Sequence, residues 1–185
     1  LETRRKLQTQ VSAVQAQLAA RPDFALDAEW AALGQSLEGL HATEQSTAPE
    51  SFSRHSVMIR DIRHFIYTAA ERSNLLFDPD PASYFLMDMA VSHIPRWGEL
   101  LAQARGLGAG VLAQTERDPL QISRVGGLLA DTRSSTEEVL SLRRFTQKYG
   151  VEDLPVEPAV QAVQGFLRRA DAALGGQGSL DAQAY

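Results

Sequence analysis

The chain has 185 residues, enough for a substantial core, with 18 Lys plus Arg against 23 Asp plus Glu and a net charge of −5. That acidic balance excludes a nucleic-acid footprint, which needs a basic face. There is no cysteine, so disulfides, thiol catalysis and cysteine-held zinc are excluded too, while the compartment stays open.

Alanine, leucine, glutamine and arginine dominate, and no segment alternates as a strand would, so every expected element is a helix. Leu7, Val11, Val14 and Leu18 are spaced by four, three and four, which places one apolar face on a first helix over residues 1–20. Arg21-Pro22-Asp23 interrupts it, and Asp27 starts a shorter helix carrying Trp30, Leu33, Leu37 and Leu40. Residues 42–51 are small and polar and read as a loop. A third helix, from about Phe52 to Phe77, sets Met58, Ile62, Phe65, Ile66, Ala69 and Leu76 on one side. Asp78-Pro79 ends it, because the residue before a proline is pushed out of helical geometry.

Asp80-Pro81 then starts a fourth helix: the carboxylate caps free N–H groups, and proline at the first position has none to leave unpaired. Its inward stripe reads Leu86, Ala90, His93, Trp97, Leu100 and Ala104, and Pro95 removes a hydrogen bond, so a kink is expected near Val91 to Pro95. Gly106, Gly108 and Gly110 are expected to break this helix near Arg105. Asp118-Pro119 repeats the capped start for a long helix ending at Gly150, with Gly126-Gly127 as its weak point. A last helix runs from about Pro158 to Leu174. The expected fold is all-α: an elongated, antiparallel, four-helix-bundle-like arrangement of about six helical segments in a single domain, 1–185.

Few residues offer chemistry. Gly106-Leu-Gly-Ala-Gly110 lacks the preceding strand and the spacing of a dinucleotide loop. Asp61 and His64 share a helix face, but two ligands do not make a metal site, and no serine sits in a nucleophile elbow or pairs convincingly with a histidine. No metal, cofactor or enzymatic activity is therefore expected. Asp78, Pro79, Asp80, Pro81, Asp118 and Pro119 read as turn and cap residues. The more suggestive group is Arg60, Arg63 and Arg72 on the third helix, with His64 and Tyr67 between them, and Arg96 on the fourth. Arginines converging between helices grip carboxylates, with aromatic side chains as an apolar wall.

The segment Ser73-Asn-Leu-Leu-Phe-Asp-Pro-Asp-Pro-Ala-Ser-Tyr-Phe-Leu-Met-Asp88 resembles a pattern of the extracytoplasmic sensor regions of bacterial transmembrane chemoreceptors and related sensor histidine kinases. There it reads roughly Ser-Asn-Leu-x-Leu-Asp-Pro-Asp-x-x-Ser-Tyr-Tyr-Leu-Met-Asp. Phe77 replaces an aliphatic residue and Phe85 a tyrosine, which removes a hydroxyl. The resemblance implies a periplasmic helical module between two membrane helices, working as a homodimer and passing its signal through a HAMP linker. Its input would be a small molecule or a ligand-binding protein. The chain begins at Leu1 and stops at Tyr185 without a closing motif, and no apolar run nears the ~20 residues of a membrane span, so a piece of a membrane-anchored parent is expected.

The expected function is ligand sensing for a receptor of the methyl-accepting chemotaxis type. Arg60, His64, Tyr67, Arg72, Tyr84, Asp88 and Arg96 are the candidate ligand contacts. The alternatives are the input domain of a membrane histidine kinase and a structural or protein-interaction bundle without a small ligand.

Overall fold

The computed structural model describes residues 2–41, 47–152 and 154–175. Every regular element among them is helical. Residues 42–46 of the loop expected at 42–51 and the stretch from Gly176 onward lie outside the described residues. Contacts gather into two units, Leu1–Phe77 and Asp78–Tyr185.

In the first unit, α1 spans Glu2–Ala19 and gives way to a short 3-10 turn at Pro22–Phe24, where the Arg21 guanidinium lies 4.2 Å from the Phe24 ring centre. Ala25 takes a left-handed conformation, φ 48°, and Leu26 after it is buried. Helices α2 (Asp27–His41) and α3 (Ala48–Arg72) pack together, with Trp30 against Phe65 at 5.5 Å and Leu33, Met58 and Ala70 buried. The apolar stripe of α1 is only partly covered: Leu7 and Val14 remain exposed.

Helix α3 starts four residues before the expected Phe52. Thr47 and Glu50 form a reciprocal capping box: the Thr47 hydroxyl accepts from the Glu50 N–H, and the Glu50 carboxylate accepts from the Thr47 N–H at 2.9 Å. The helix also stops earlier, at Arg72, because Asn74 is left-handed at φ 59°. Leu75–Phe77 forms a separate 3-10 turn.

The second unit begins with two aspartate caps in tandem. Asp78 Oδ1 accepts from the Asp80 N–H at 3.0 Å, and Asp80 Oδ2 accepts from the Ser83 N–H at 2.9 Å. Helix α4 (Pro81–Asp88) runs into a π-helical turn, Met89–His93, and continues as α5 (Ile94–Leu112). The irregularity falls where Pro95 was expected to act: the ring crowds the carbonyl four residues back and offers it no N–H. The widened turn changes the register. Ala90, expected inside, is exposed, while Met87, Met89 and Val91 are buried.

Gly106, Gly108 and Gly110 do not end the helix; it passes through them, and Gly108 is buried. Helix α6 (Pro119–Lys148) opens on Asp118, whose Oδ1 accepts from the Leu120 N–H at 2.9 Å. It closes on left-handed Gly150 at φ 87°, with the Val151 N–H reaching the Thr146 carbonyl at 3.0 Å. Helix α7 spans Glu157–Leu174.

Side-chain bonds give the helix directions in this unit. Trp97 meets Thr136 and Gln114 meets Gln121, so α5 and α6 run antiparallel. Arg143 pairs with Glu157 and Arg133 with Asp171, so α6 and α7 do as well. Their shared core holds Trp97, Ala104, Val111, Val125, Leu129, Val139, Val160, Val163, Phe166, Leu167, Ala170 and Ala173. The fold is all-α, a helical bundle.

Candidate functional site

Arg60 and His64 are one turn apart on α3, and the α2–α3 packing places both on an open groove of about 480 Å³. Leu33, Ala32 and Phe65 supply its apolar wall, and Glu29, Ser36 and Asp61 its other polar groups. Arg60 lies 3.4 Å from Asp61, and most of its guanidinium remains in solvent. The groove therefore offers the Arg60 guanidinium and the His64 ring beside two carboxylates, Glu29 and Asp61, over an apolar floor.

Arg72 does not join that rim. Its guanidinium donates to the Ala25 carbonyl and to both oxygens of Glu29, tying the end of α3 to the start of α2. Hydrogen bonding from its own backbone N–H, and next from Arg72, holds the Glu29 carboxyl below its ordinary 4.5. Arg63 is half-buried, and Tyr67 is exposed on α3 and is not among the residues lining the groove. Among the described residues no cluster of three or more His, Asp and Glu side chains fits a metal, and Asp61 with His64 stays a pair.

Tyr84, Asp88 and Arg96 belong to the second unit. Tyr84 is exposed and meets Phe85 edge-on at 5.4 Å, and Phe85 stacks on Phe145 at 4.9 Å and on Tyr149 at 5.7 Å. Phe85 thus stands in a four-ring cluster with Tyr84, Phe145 and Tyr149. Arg96 is exposed, and no ion pair is formed by it among the described residues.

Asp88 has a partner that the helical spacing did not announce. His93 Nε2 lies 3.5 Å from Asp88 Oδ2, and His93 Nδ1 lies 3.3 Å from Glu138 Oε2 on α6. His93, expected on the inward stripe, stands half-buried between two carboxylates, its Nδ1 shielded from solvent. Glu138 could not be picked out from sequence, since nothing near it marks it among the other exposed acids of α6. One turn along α5 from His93, the Trp97 Nε1–H donates to the buried Thr136 Oγ1 at 2.9 Å.

Among the described residues no helix is long and apolar enough to cross a membrane. Comparison with family models, curated proteins and solved structures returns no match.

Proposed function

We propose that this chain is the ligand-sensing input domain of a bacterial transmembrane receptor, of the methyl-accepting chemotaxis type or, as the alternative output, a membrane histidine kinase. The observation that supports the reading is the Ser73–Asp88 segment. Its resemblance to the sensor pattern extends over consecutive residues, and those residues have distinct jobs: Asn74 turns the chain, Asp78 and Asp80 cap, and Asp88 reaches His93. On this reading the domain is periplasmic, works as a dimer and carries no catalytic activity. Binding shifts helices by an ångström or two, a displacement that packed helices transmit.

The α2–α3 groove, with Arg60 and His64 at its rim, is the ligand site of this proposal. A thermal-shift screen with amino acids, organic acids and aromatic carboxylates tests it. A compound at 100 times its Kd stabilises the native state by about 2.7 kcal/mol. The expected result is a carboxylate whose shift is lost in Arg60→Ala and in His64→Ala. A shift unaffected by both variants would remove the groove from the proposal, and no shift with any compound would count against direct small-molecule sensing.

One observation favours the interaction-bundle alternative. Tyr84, Phe145 and Tyr149 expose aromatic surface side by side around Phe85, and Leu120 is exposed elsewhere on α6. A clustered aromatic surface of this kind suits a protein partner better than a small solute. Pull-down with a candidate ligand-binding protein, lost in Tyr149→Ser, would move the input from a small molecule to that protein.

A further inference from the structure

The π-turn creates a juxtaposition that an uninterrupted α-helix forbids. At 3.6 residues per turn, side chains five apart point about 140° away from each other. In a π-turn the hydrogen bonds run between residues five apart, and the Ile94 N–H bonds the Met89 carbonyl in this way. Residues 88 and 93 are thereby brought onto one face, and the Asp88 carboxylate reaches His93 Nε2 at 3.5 Å. The other nitrogen of the same ring faces Glu138 of α6 at 3.3 Å.

The two carboxylates sit on opposite nitrogens, so they cannot converge on one bound cation. What they share is the charge of the ring between them. A neutral imidazole has one N–H and one lone pair, so in either tautomer one carboxylate confronts a lone pair. The imidazolium presents an N–H to each. Neither contact is aligned as a full hydrogen bond, and Nδ1 has no hydrogen-bond partner, so the attraction is mainly electrostatic and depends on the ring's charge.

Other charges nearby do not substitute for it. Asp88 from α4 and Glu138 from α6 are the groups at ion-pair distance among the described residues. Arg96 on α5 and Glu137 on α6 are exposed and make no pair with the ring. Solvent reaches part of the site, since the His93 side chain is 26% exposed and that of Glu138 49%, so protons exchange freely. The next contact along the same seam, Trp97 to Thr136, carries no titratable group.

We propose that His93 is a proton-operated latch between the π-turn and α6: protonation closes it onto Asp88 and Glu138 together, and deprotonation releases the link to α6. The proton is then an input signal in its own right, independent of any ligand in the α2–α3 groove. The latch needs the protonated ring, and imidazole is the side chain whose charge ordinarily changes between about pH 5 and 8.

A double-mutant cycle on the full chain tests this, with His93→Gln, Glu138→Gln and both together. Urea unfolding is followed by Trp97 emission in a Trp30→Phe background at pH 5 and at pH 8. The expected result is a coupling of about threefold or more in the unfolding constant at pH 5 that vanishes at pH 8. Coupling absent at both values, equal at both or larger at pH 8 would overturn the proposal. Should His93→Gln not fold, Glu138→Gln alone decides, because that side chain is half exposed. It is expected to destabilise more at pH 5 than at pH 8, and an equal effect at both overturns the latch.

Discussion

At the scale of single residues, Arg72 ties together the two packed helices of the first unit. Its planar fork spans the Ala25 carbonyl and both Glu29 oxygens, and it fixes a backbone that turns left-handed at Ala25, φ 48°. Arg72→Met is expected to lower the stability of that unit by about 1 kcal/mol, a value kept small because the pair is partly solvated. Arg72→Lys should recover only part of the loss, since an ammonium cannot reproduce the fork. Urea unfolding followed by Trp30 emission in a Trp97→Phe background measures both. Acid should weaken the same unit. Glu29 is held below its ordinary 4.5 by its own backbone N–H and by Arg72, and Glu50 below the same value by the Thr47 N–H and hydroxyl. Both groups contribute fully above 4.5 and lose that contribution as pH falls through their lowered folded values. The Trp30-monitored midpoint should therefore decline below about pH 4.5 and change little above it. Parts of the candidate site could be read from spacing alone. Arg60 and His64 share a groove because residues four apart share a helix face. The Arg72–Glu29 clamp joins residues 43 apart, and no local pattern reports such a pairing.

Among the elements, α6 carries a removable weakness. Gly126 and Gly127 lie inside a continuous helix, and a Cβ added at either meets nothing within 4 Å. Replacing each by alanine removes backbone freedom from the unfolded chain, so each substitution is expected to stabilise by about 0.5–1 kcal/mol. Gly150→Ala should do the reverse by about 1 kcal/mol, because its φ of 87° strains any side chain although space is available. Thermal unfolding followed by far-UV circular dichroism separates the two signs. Helix starts were the most legible part of the fold, since Asp80-Pro81 and Asp118-Pro119 act through neighbours two or three residues away. The start at Thr47 was equally local, but its polar, alanine-proline surroundings read as loop, and the reciprocal Glu50 bond decides the matter. The π-turn was legible only as trouble near Pro95. Its consequence, the outward turn of Ala90 and the meeting of residues 88 and 93, follows from an inserted register shift that period counting cannot supply. The glycines at 106, 108 and 110 misled for the opposite reason. Packing against α6 and α7 outweighs a cost of about 1 kcal/mol for each glycine in a helix.

For the whole molecule, the division of buried apolar surface sets the order of unfolding. The first unit buries Leu26, Leu33, Met58 and Ala70, while the second holds the continuous cluster that runs from Trp97 to Ala173. Local stability follows buried contacts, so the second unit should open at the higher free energy. Each unit has its own tryptophan, Trp30 beside Phe65 in one and Trp97 in the cluster of the other, and single-tryptophan variants report on them separately. The Trp97 transition is expected at higher urea than the Trp30 transition. Coincident midpoints would show that the chain unfolds as one cooperative unit and that burial within each unit does not set its stability. Leu129→Ala sharpens the comparison. Leu129 is 1% exposed at the centre of the cluster, and its truncation should cost about 2–5 kcal/mol in the Trp97 signal, depending on how far the core collapses. A change of that size, larger than the loss expected from Arg72→Met, would place the main energetic reserve between α5, α6 and α7. The proposed latch at His93 would then act on the seam that carries the most stability, where a single proton could bias helix packing without unfolding the domain.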